Sequence, residues 1–320
     1  YGQGPPPSKN GGLELASLQV AIKTKGAKWV AGETAISKLS MVQSKMRFGL
    51  SFAPIKAAPL PVPTEAAAAI LPTNLDWRDS NAVSGVLDQK ECGSCWAFAM
   101  TQALESNVMI ARKSPGDVSL SEQVMVSCSG TGSCDGGLLN ADFIQSTGLP
   151  PEEDYPYIAK DGACTDAKPG WQERAYKIGA WNRVMPDLHS IKSALAEYGP
   201  LPTSFLVMDD FRYYTSGIYS YTKGKSLGGH AVLLVGYNDD GQYFIAKNSW
   251  GSGWGEGGFF RIAYSEMENA VDFGDSTIAF MPAHAPGQLS KDVYQKAGRA
   301  VVLIMSSDAD GRGEFGTGSV

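Results

Sequence analysis

The sequence predicts an α+β protein on three observations. A run from Trp96 to Arg112 without Gly or Pro reads as one long helix, and its apolar residues fall almost all the way round, so the helix should be buried. Beyond Gly199-Pro200 the pattern turns to strands, with Thr203–Met208, His230–Tyr237 and Tyr243–Asn248 as strand-like runs. The 320 residues, 43% hydrophobic, supply a full core with room for two compact units.

Charge narrows the function classes. The net charge is −6 and no Lys/Arg-rich run occurs, which argues against nucleic acid or an anionic membrane as partner. No apolar run approaches the ~20 residues that span a bilayer. The chain starts at Tyr1 without a charged-then-apolar leader, so any signal peptide is expected to have been removed or left out of this sequence.

In chain order, residues 1–12 are a Pro/Gly lead-in. Leu13–Ile22 fits a short strand or an irregular helix, and the pattern does not choose. Ala35–Arg47 is expected to be helical, with Ile36, Leu39, Val42 and Met46 on one face. Leu50–Leu71, with four prolines and the Ala66–Ala69 run, is an extended linker. Residues 1–71 are thus either a solvated extension or a propeptide whose extended part lies along a cleft. Further on, Ser121 is the expected N-cap of a short helix, and Asp187–Tyr198 an amphipathic helix stopped by Gly199-Pro200. Residues 283–320 carry one apolar run, Val301–Met305, between polar stretches, and their role is open.

The chemistry gathers at Gln89-Lys90-Glu91-Cys92-Gly93-Ser94-Cys95. A thiol in the first turn of a buried helix faces unpaired N–H groups and the positive end of the helix dipole, which favours thiolate. Gln89 offers a side-chain N–H donor to an oxyanion developing beside it. The five cysteines, Cys92, Cys95, Cys128, Cys134 and Cys164, suggest disulfides plus one free thiol; zinc ligation and a redox Cys-x-x-Cys are the rivals. A base comes from the second half. Folding the hairpin about residues 239–241 places His230 opposite residues 249–251, within reach of Asn248, whose oxygen can then hold an imidazole N–H. His189 falls off its helix's apolar stripe, and His284 sits in a Pro-rich tail, so His230 is the candidate base.

These motifs resemble the papain-like cysteine proteases, the family of plant papains and cathepsins. The resemblance rests on Gln89 with Cys92-Gly93-Ser94-Cys95-Trp96-Ala97-Phe98, on Ser121-Glu122-Gln123, Cys134-Asp135-Gly136-Gly137, Tyr155-Pro156-Tyr157, Gly229-His230-Ala231 and Lys247-Asn248-Ser249-Trp250, and covers about 72–282. It implies a two-lobed fold: a helical lobe, about 72–180, carrying Cys95, and a β-barrel-like lobe, about 181–282, carrying His230 and Asn248, with the cleft between. It implies disulfides Cys92–Cys134 and Cys128–Cys164, leaving Cys95 free, and no metal or organic cofactor. Cys95, His230, Asn248 and Gln89 would be catalytic, with Trp250 shielding the His–Asn contact. Gly136, Gly137, Leu138, Leu139, Ser204, Gly228, Gly229 and Trp254 would bind substrate, with a pocket floor near Phe273–Asp275 and a hydrophobic side chain preferred. Residues 1–71 resemble a short, cathepsin B-like prosegment ahead of a mature start at Leu71–Arg78.

The expected function is therefore a cysteine endopeptidase made as a zymogen. Its expected partners are protein or peptide substrates, its own propeptide and cystatin-like inhibitors, acting as a monomer in the lysosomal, vacuolar or secreted space. The alternatives are an exopeptidase, a transpeptidase, or a latent interaction protein.

Overall fold

The computed structural model describes residues 13–60, 71–112 and 118–281, with the backbone of two further strands, β12 (Leu303–Ser307) and β13 (Gly313–Thr317), paired as a hairpin. The undecided N-terminal stretch is a helix, Leu15–Lys25, closed by Gly26 in the left-handed region at φ 64°. The helix expected over Ala35–Arg47 is not formed as such. A turn occupies 35–38, and only Met41–Lys45 is helical, started by a capping box between Ser40 and Gln43. The supposed apolar face is divided: Ile36 is buried, whereas Val42 and Met46 are exposed.

The molecule is built on a nine-stranded sheet. Its strands are β1 (Trp29–Ala31), β2 (Asn74–Asp76), β5 (Ala180–Val184), β6 (Leu201–Met208), β7 (Tyr214–Tyr219), β8 (Ser226–Asn238), β9 (Tyr243–Lys247), β10 (Phe259–Ala263) and β11 (Thr277–Met281). The order is β1-β7-β10-β9-β8-β6-β11-β5, with β2 also on β8; β7–β10 is parallel and the other pairs are antiparallel. Two-residue strands β3 (Gly132–Ser133) and β4 (Gly136–Gly137) form a separate small ribbon.

The sheet separates two apolar cores, and strand alternation assigns each residue to one of them. On β8, Ala231, Leu233 and Val235 face the core of the long helix, while Val232 and Leu234 face the other, shared with Phe205, Phe211 and Trp254. The long helix itself is Cys95–Arg112, buried from Cys95 through Asn107, as its all-round apolar pattern requires. Ser121 caps Glu122–Cys128 by accepting from Val124 N, and Asp187 caps Leu188–Tyr198.

The lobe boundary differs from expectation. Leu75 and Trp77 belong to the β-side core, and β2 pairs with β8, so the chain from 74 to 77 is part of the β-rich lobe, and the helical lobe begins later than 72. Pairing with a strand about 160 residues away leaves no local signal.

Candidate active site

Cys95 stands at the first position of the long helix and is the one free cysteine among the described residues. The other four form Cys92–Cys134 and Cys128–Cys164. Gly93 N donates to Cys134 O at 2.7 Å, so the first bridge fixes the loop ahead of the thiol against the β3–β4 ribbon. The ribbon's glycines have a steric reason: a Cβ at Gly137 would lie 2.4 Å from the Trp96 indole.

Gln89 is held from several sides. Its Oε1 accepts from Ser249 Oγ at 2.7 Å, its backbone N donates to Ser249 O at 2.9 Å, and Tyr157 OH donates to its carbonyl at 2.8 Å. Ser94 Oγ meets the same Tyr157 hydroxyl at 2.7 Å, so the Tyr155-Pro156-Tyr157 loop braces the residues around Cys95. Nε2 of Gln89 is thereby aimed into the cleft, where it donates to Arg47 O at 3.1 Å as well as to Cys92 O at 2.8 Å.

His230 and Asn248 come together as the hairpin count requires. β8 and β9 pair with Leu233 opposite Lys247, with a register shift between Leu234 and Gly236, and His230 Nε2 lies 2.8 Å from Asn248 Oδ1. Trp250 packs over the imidazole with centroids 4.9 Å apart, and Phe205 approaches edge-on from the core. Nδ1 is buried without a hydrogen-bond partner among the described residues.

The cleft between these groups holds residues 47–51 of the same chain. Gly137 N donates to Gly49 O at 2.8 Å, Ser51 N to Gly137 O at 2.9 Å, and Leu50 N to Gly229 O at 3.1 Å. Leu50 is buried in the same apolar cluster as Leu139 and Ala231, and Phe48 lies edge-on to His230. A Cβ on Gly49 would sit 1.8 Å from Gly93 O, so only glycine passes over this point of the loop. The Arg47 side chain, nearly buried, pairs with Asp88 at 2.8 Å, one residue before Gln89.

Burial dominates the electrostatics of the filled cleft. Burial pushes the Cys95 thiol up to about 11, against backbone N–H groups of Ala231, Gly49, Trp96 and Cys95 itself that pull it down. Burial likewise lowers His230 to about 4, while Asn248 and the Arg47 carbonyl oppose it. The thiolate expected from the helix N-terminus is thus absent while the cleft is filled: desolvation outweighs the dipole.

Among the expected substrate-binding residues, Gly136, Gly137, Gly228 and Gly229 border residues 48–52. Leu139 is buried, Leu138 partly so, and Ser204 lies beneath, its Oγ accepting from Ser276 N at 2.9 Å. Asp275 of the expected floor is exposed. Trp254 is corrected: it is fully buried among Phe211, Tyr214, Phe260 and Trp250, supporting Trp250 from inside instead of lining the cleft.

Sequence reading missed three contributors. Ser249 orients Gln89. Lys247, buried beside Asn248, donates to Ser84 Oγ at 3.0 Å; Ser84 bonds Glu105 of the long helix, tying the strand of Asn248 to the helix of Cys95. Arg47 supplies the carbonyl on Gln89. Polar side chains that act through one partner across the fold have no periodicity to reveal them, although an isolated Gly49 between Phe48 and Leu50 was a hint of close backbone approach.

A free thiol, an Asn-held imidazole and an amide donor converging on a peptide-filled cleft are the parts of a thiol-dependent acyl-transfer centre. The chain belongs to the papain family of cysteine proteases, whose family model matches residues 71–279. It is 39% identical over 229 residues to a probable cysteine protease RD21C of Arabidopsis thaliana, covering 68% of this chain and 49% of that protein. The chain spans about half to three fifths of the length of the first curated relatives it matches. Among solved structures it is similar to digestive procathepsin L2 proteinase from Tenebrio molitor larval midgut (TM-score 0.73, 28% identity, 83% of this chain and 88% of that one). The fold also matches proCathepsin B S9 from Trypanosoma congolense (TM-score 0.74, 21% identity, 84% and 98%). Both structural matches take in more of the chain than residues 71–279.

Proposed function

We propose that this chain is the latent form of a cysteine endopeptidase, with residues 1–71 as prosegment and 72–282 as the peptidase region. The observation that carries the reading is the Arg47 carbonyl on Gln89 Nε2, with Gly49 and Leu50 bonded to Gly137 and Gly229: a peptide backbone already lies across the catalytic groups. Once it leaves, water and substrate reach Cys95 and His230, the burial that holds them neutral is relieved, and a thiolate–imidazolium pair forms. Cys95 Sγ attacks the substrate carbonyl carbon. Gln89 Nε2 and the Cys95 N–H stabilise the oxyanion, His230 protonates the leaving amine, and then takes a proton from the water that releases the acyl group. Asn248 orients the ring and Trp250 excludes water from their contact.

The burial of Leu50 with Leu139 and Ala231 supports a preference for a hydrophobic side chain in the main pocket. No organic cofactor or metal takes part in these steps. Two disulfides fit passage through an oxidising, secretory or endolysosomal compartment.

Labelling with an epoxide-type thiol reagent, before and after loss of residues 1–71, followed by peptide mapping, tests the reading. Expected is labelling at Cys95 alone, appearing together with peptide hydrolysis once the segment is removed. A full-length chain that cleaves peptides at the processed rate at both neutral and acid pH would overturn latency.

A further inference from the structure

Arg212 makes none of the catalytic contacts described above, yet it is among the largest fully buried side chains of the described residues. Its guanidinium enters the turn made by residues 34–41 of the segment that precedes the peptidase region. Nη2 donates to the carbonyls of Ile36 (3.3 Å), Ser37 (3.1 Å) and Leu39 (2.9 Å), and Nη1 to Asp209 Oδ1 (3.1 Å) and Met41 Sδ (2.9 Å). The contact is reciprocal: Thr34 Oγ1 donates to the Arg212 carbonyl at 2.6 Å, and Gly32 N to Tyr213 O at 2.9 Å. The side chain is 2% exposed, and its one charged partner among the described residues is Asp209 of the same lobe.

A buried guanidinium needs most of its donors met, or the cost of removing it from water is left uncompensated. Here three of its acceptors are main-chain carbonyls that only a turn of this shape can present together. One arm of the planar fork, Nη2, meets the three carbonyls while the other, Nη1, holds Asp209 and Met41, and the single nitrogen of a lysine ammonium cannot serve both sets at once.

Resting on the reading of residues 1–71 as prosegment, we propose that Arg212 is the recognition residue by which the peptidase lobe selects that segment, accepting a chain that offers the 36–39 carbonyl turn. A segment without the turn buries the charge unsatisfied and is rejected, so discrimination comes from the penalty as much as from the bonds. The turn also explains why residues 35–38 do not continue as a helix. In this turn Ile36 O accepts from Leu39 N at 3.2 Å as well as from Arg212, and the carbonyls of 36, 37 and 39 are gathered on one side, which a helix does not do.

The test uses the full-length chain, comparing wild type with Arg212→Met and Arg212→Lys. The readouts are the rate of Cys95 alkylation by an epoxide-type reagent before processing and kcat/KM on a small peptide after it. Loss of several hydrogen bonds to a charge predicts alkylation about tenfold faster or more in Arg212→Met, with Arg212→Lys in between. After processing, kcat/KM should stay within about twofold of wild type, since the turn is then gone. Thr34→Val, which alters only the segment, should shift alkylation the same way by about threefold and stands in if Arg212→Met does not accumulate.

Unchanged alkylation in Arg212→Met and Thr34→Val, a lysine variant as latent as wild type, or a parallel loss of kcat/KM in the processed variant overturns the proposal. Wild-type full-length chain that alkylates as fast as processed enzyme overturns the latency reading instead, before any variant is compared.

Discussion

Two stretches of the leading segment, residues 13–41 and residues 47–51, are held by different chemistry. The first is docked like part of a domain. Trp29 is 3% exposed, its Nε1 donates to Ser220 O, β1 extends the sheet at β7, and Arg212 fills the turn. The second has no regular structure and is held by main-chain bonds to Gly137 and Gly229, the Gln89 amide and the Arg47–Asp88 pair. Side-chain burial on the sheet edge resists changes of pH. A backbone strand lying on a thiol and an imidazole does not, because it changes the proton affinity of what it covers. On the latency reading, anchoring and blockade fall on different stretches, and the cleft is expected to open while the segment stays attached.

Three experiments sharpen or break this division. Trp29→Ala removes the largest buried anchor of the docked stretch and should cost about 3 kcal/mol or more, over a hundredfold in retention of the segment. Latency that survives this change, measured as resistance of Cys95 to alkylation, would mean that the cleft strand suffices alone. Gly49→Ala acts only on the cleft stretch. Its methyl cannot fit under Gly93 O, so about 1–3 kcal/mol of strain lifts the strand from Cys95, giving about tenfold faster alkylation with the Trp29 anchor intact. Hydrogen exchange confined to 47–51 would confirm the separation; exchange spreading to 29–31 would break it.

The pH response should be the smallest per step. His230 is lowered to about 4 under the strand from an ordinary 6.5, so the covered state holds fewer protons there. In a Cys95→Ser chain, where no thiol titrates against it, covering is therefore strongest above 6.5 and weakens as pH falls toward 4, by at most about tenfold per unit. Burial raises Asp88 and its bonds from Arg47 and Lys90 lower it, with lowering the net result, so its pair with Arg47 persists until pH falls below the ordinary 3.8. Opening of 47–51 followed against pH in a Cys95→Ser chain, which cannot process itself, checks this. Release that begins only below 3.8 would assign the trigger to Asp88 and not to His230.

Legibility follows the same division. Cys95, His230 and Asn248 are readable because their signals are local: a helix without breakers, an Asp240-Gly241 hairpin, and a residue count along two strands. The count survives even the register shift near Gly236. The docked stretch misleads because Ile36, Leu39, Val42 and Met46 have helical spacing, while the acceptor pattern that decides their conformation is met by Arg212, some 170 residues away. Leu75 misleads in the same way, since its partner strand is equally remote. Trp254 shows the limit of reasoning from a motif: it shares a segment with Trp250, but the chain turns between them and carries it inside.

The burial that pushes the Cys95 thiol up has a consequence for the covalent framework beside it. Cys95 lies three residues from Cys92, which is bridged to Cys134. Disulfide exchange is carried by thiolate, and a thiol at about 11 is ionised in roughly one molecule in ten thousand at neutral pH. In the folded chain, with the cleft filled, the buried thiol is therefore a poor nucleophile toward the bridge beside it.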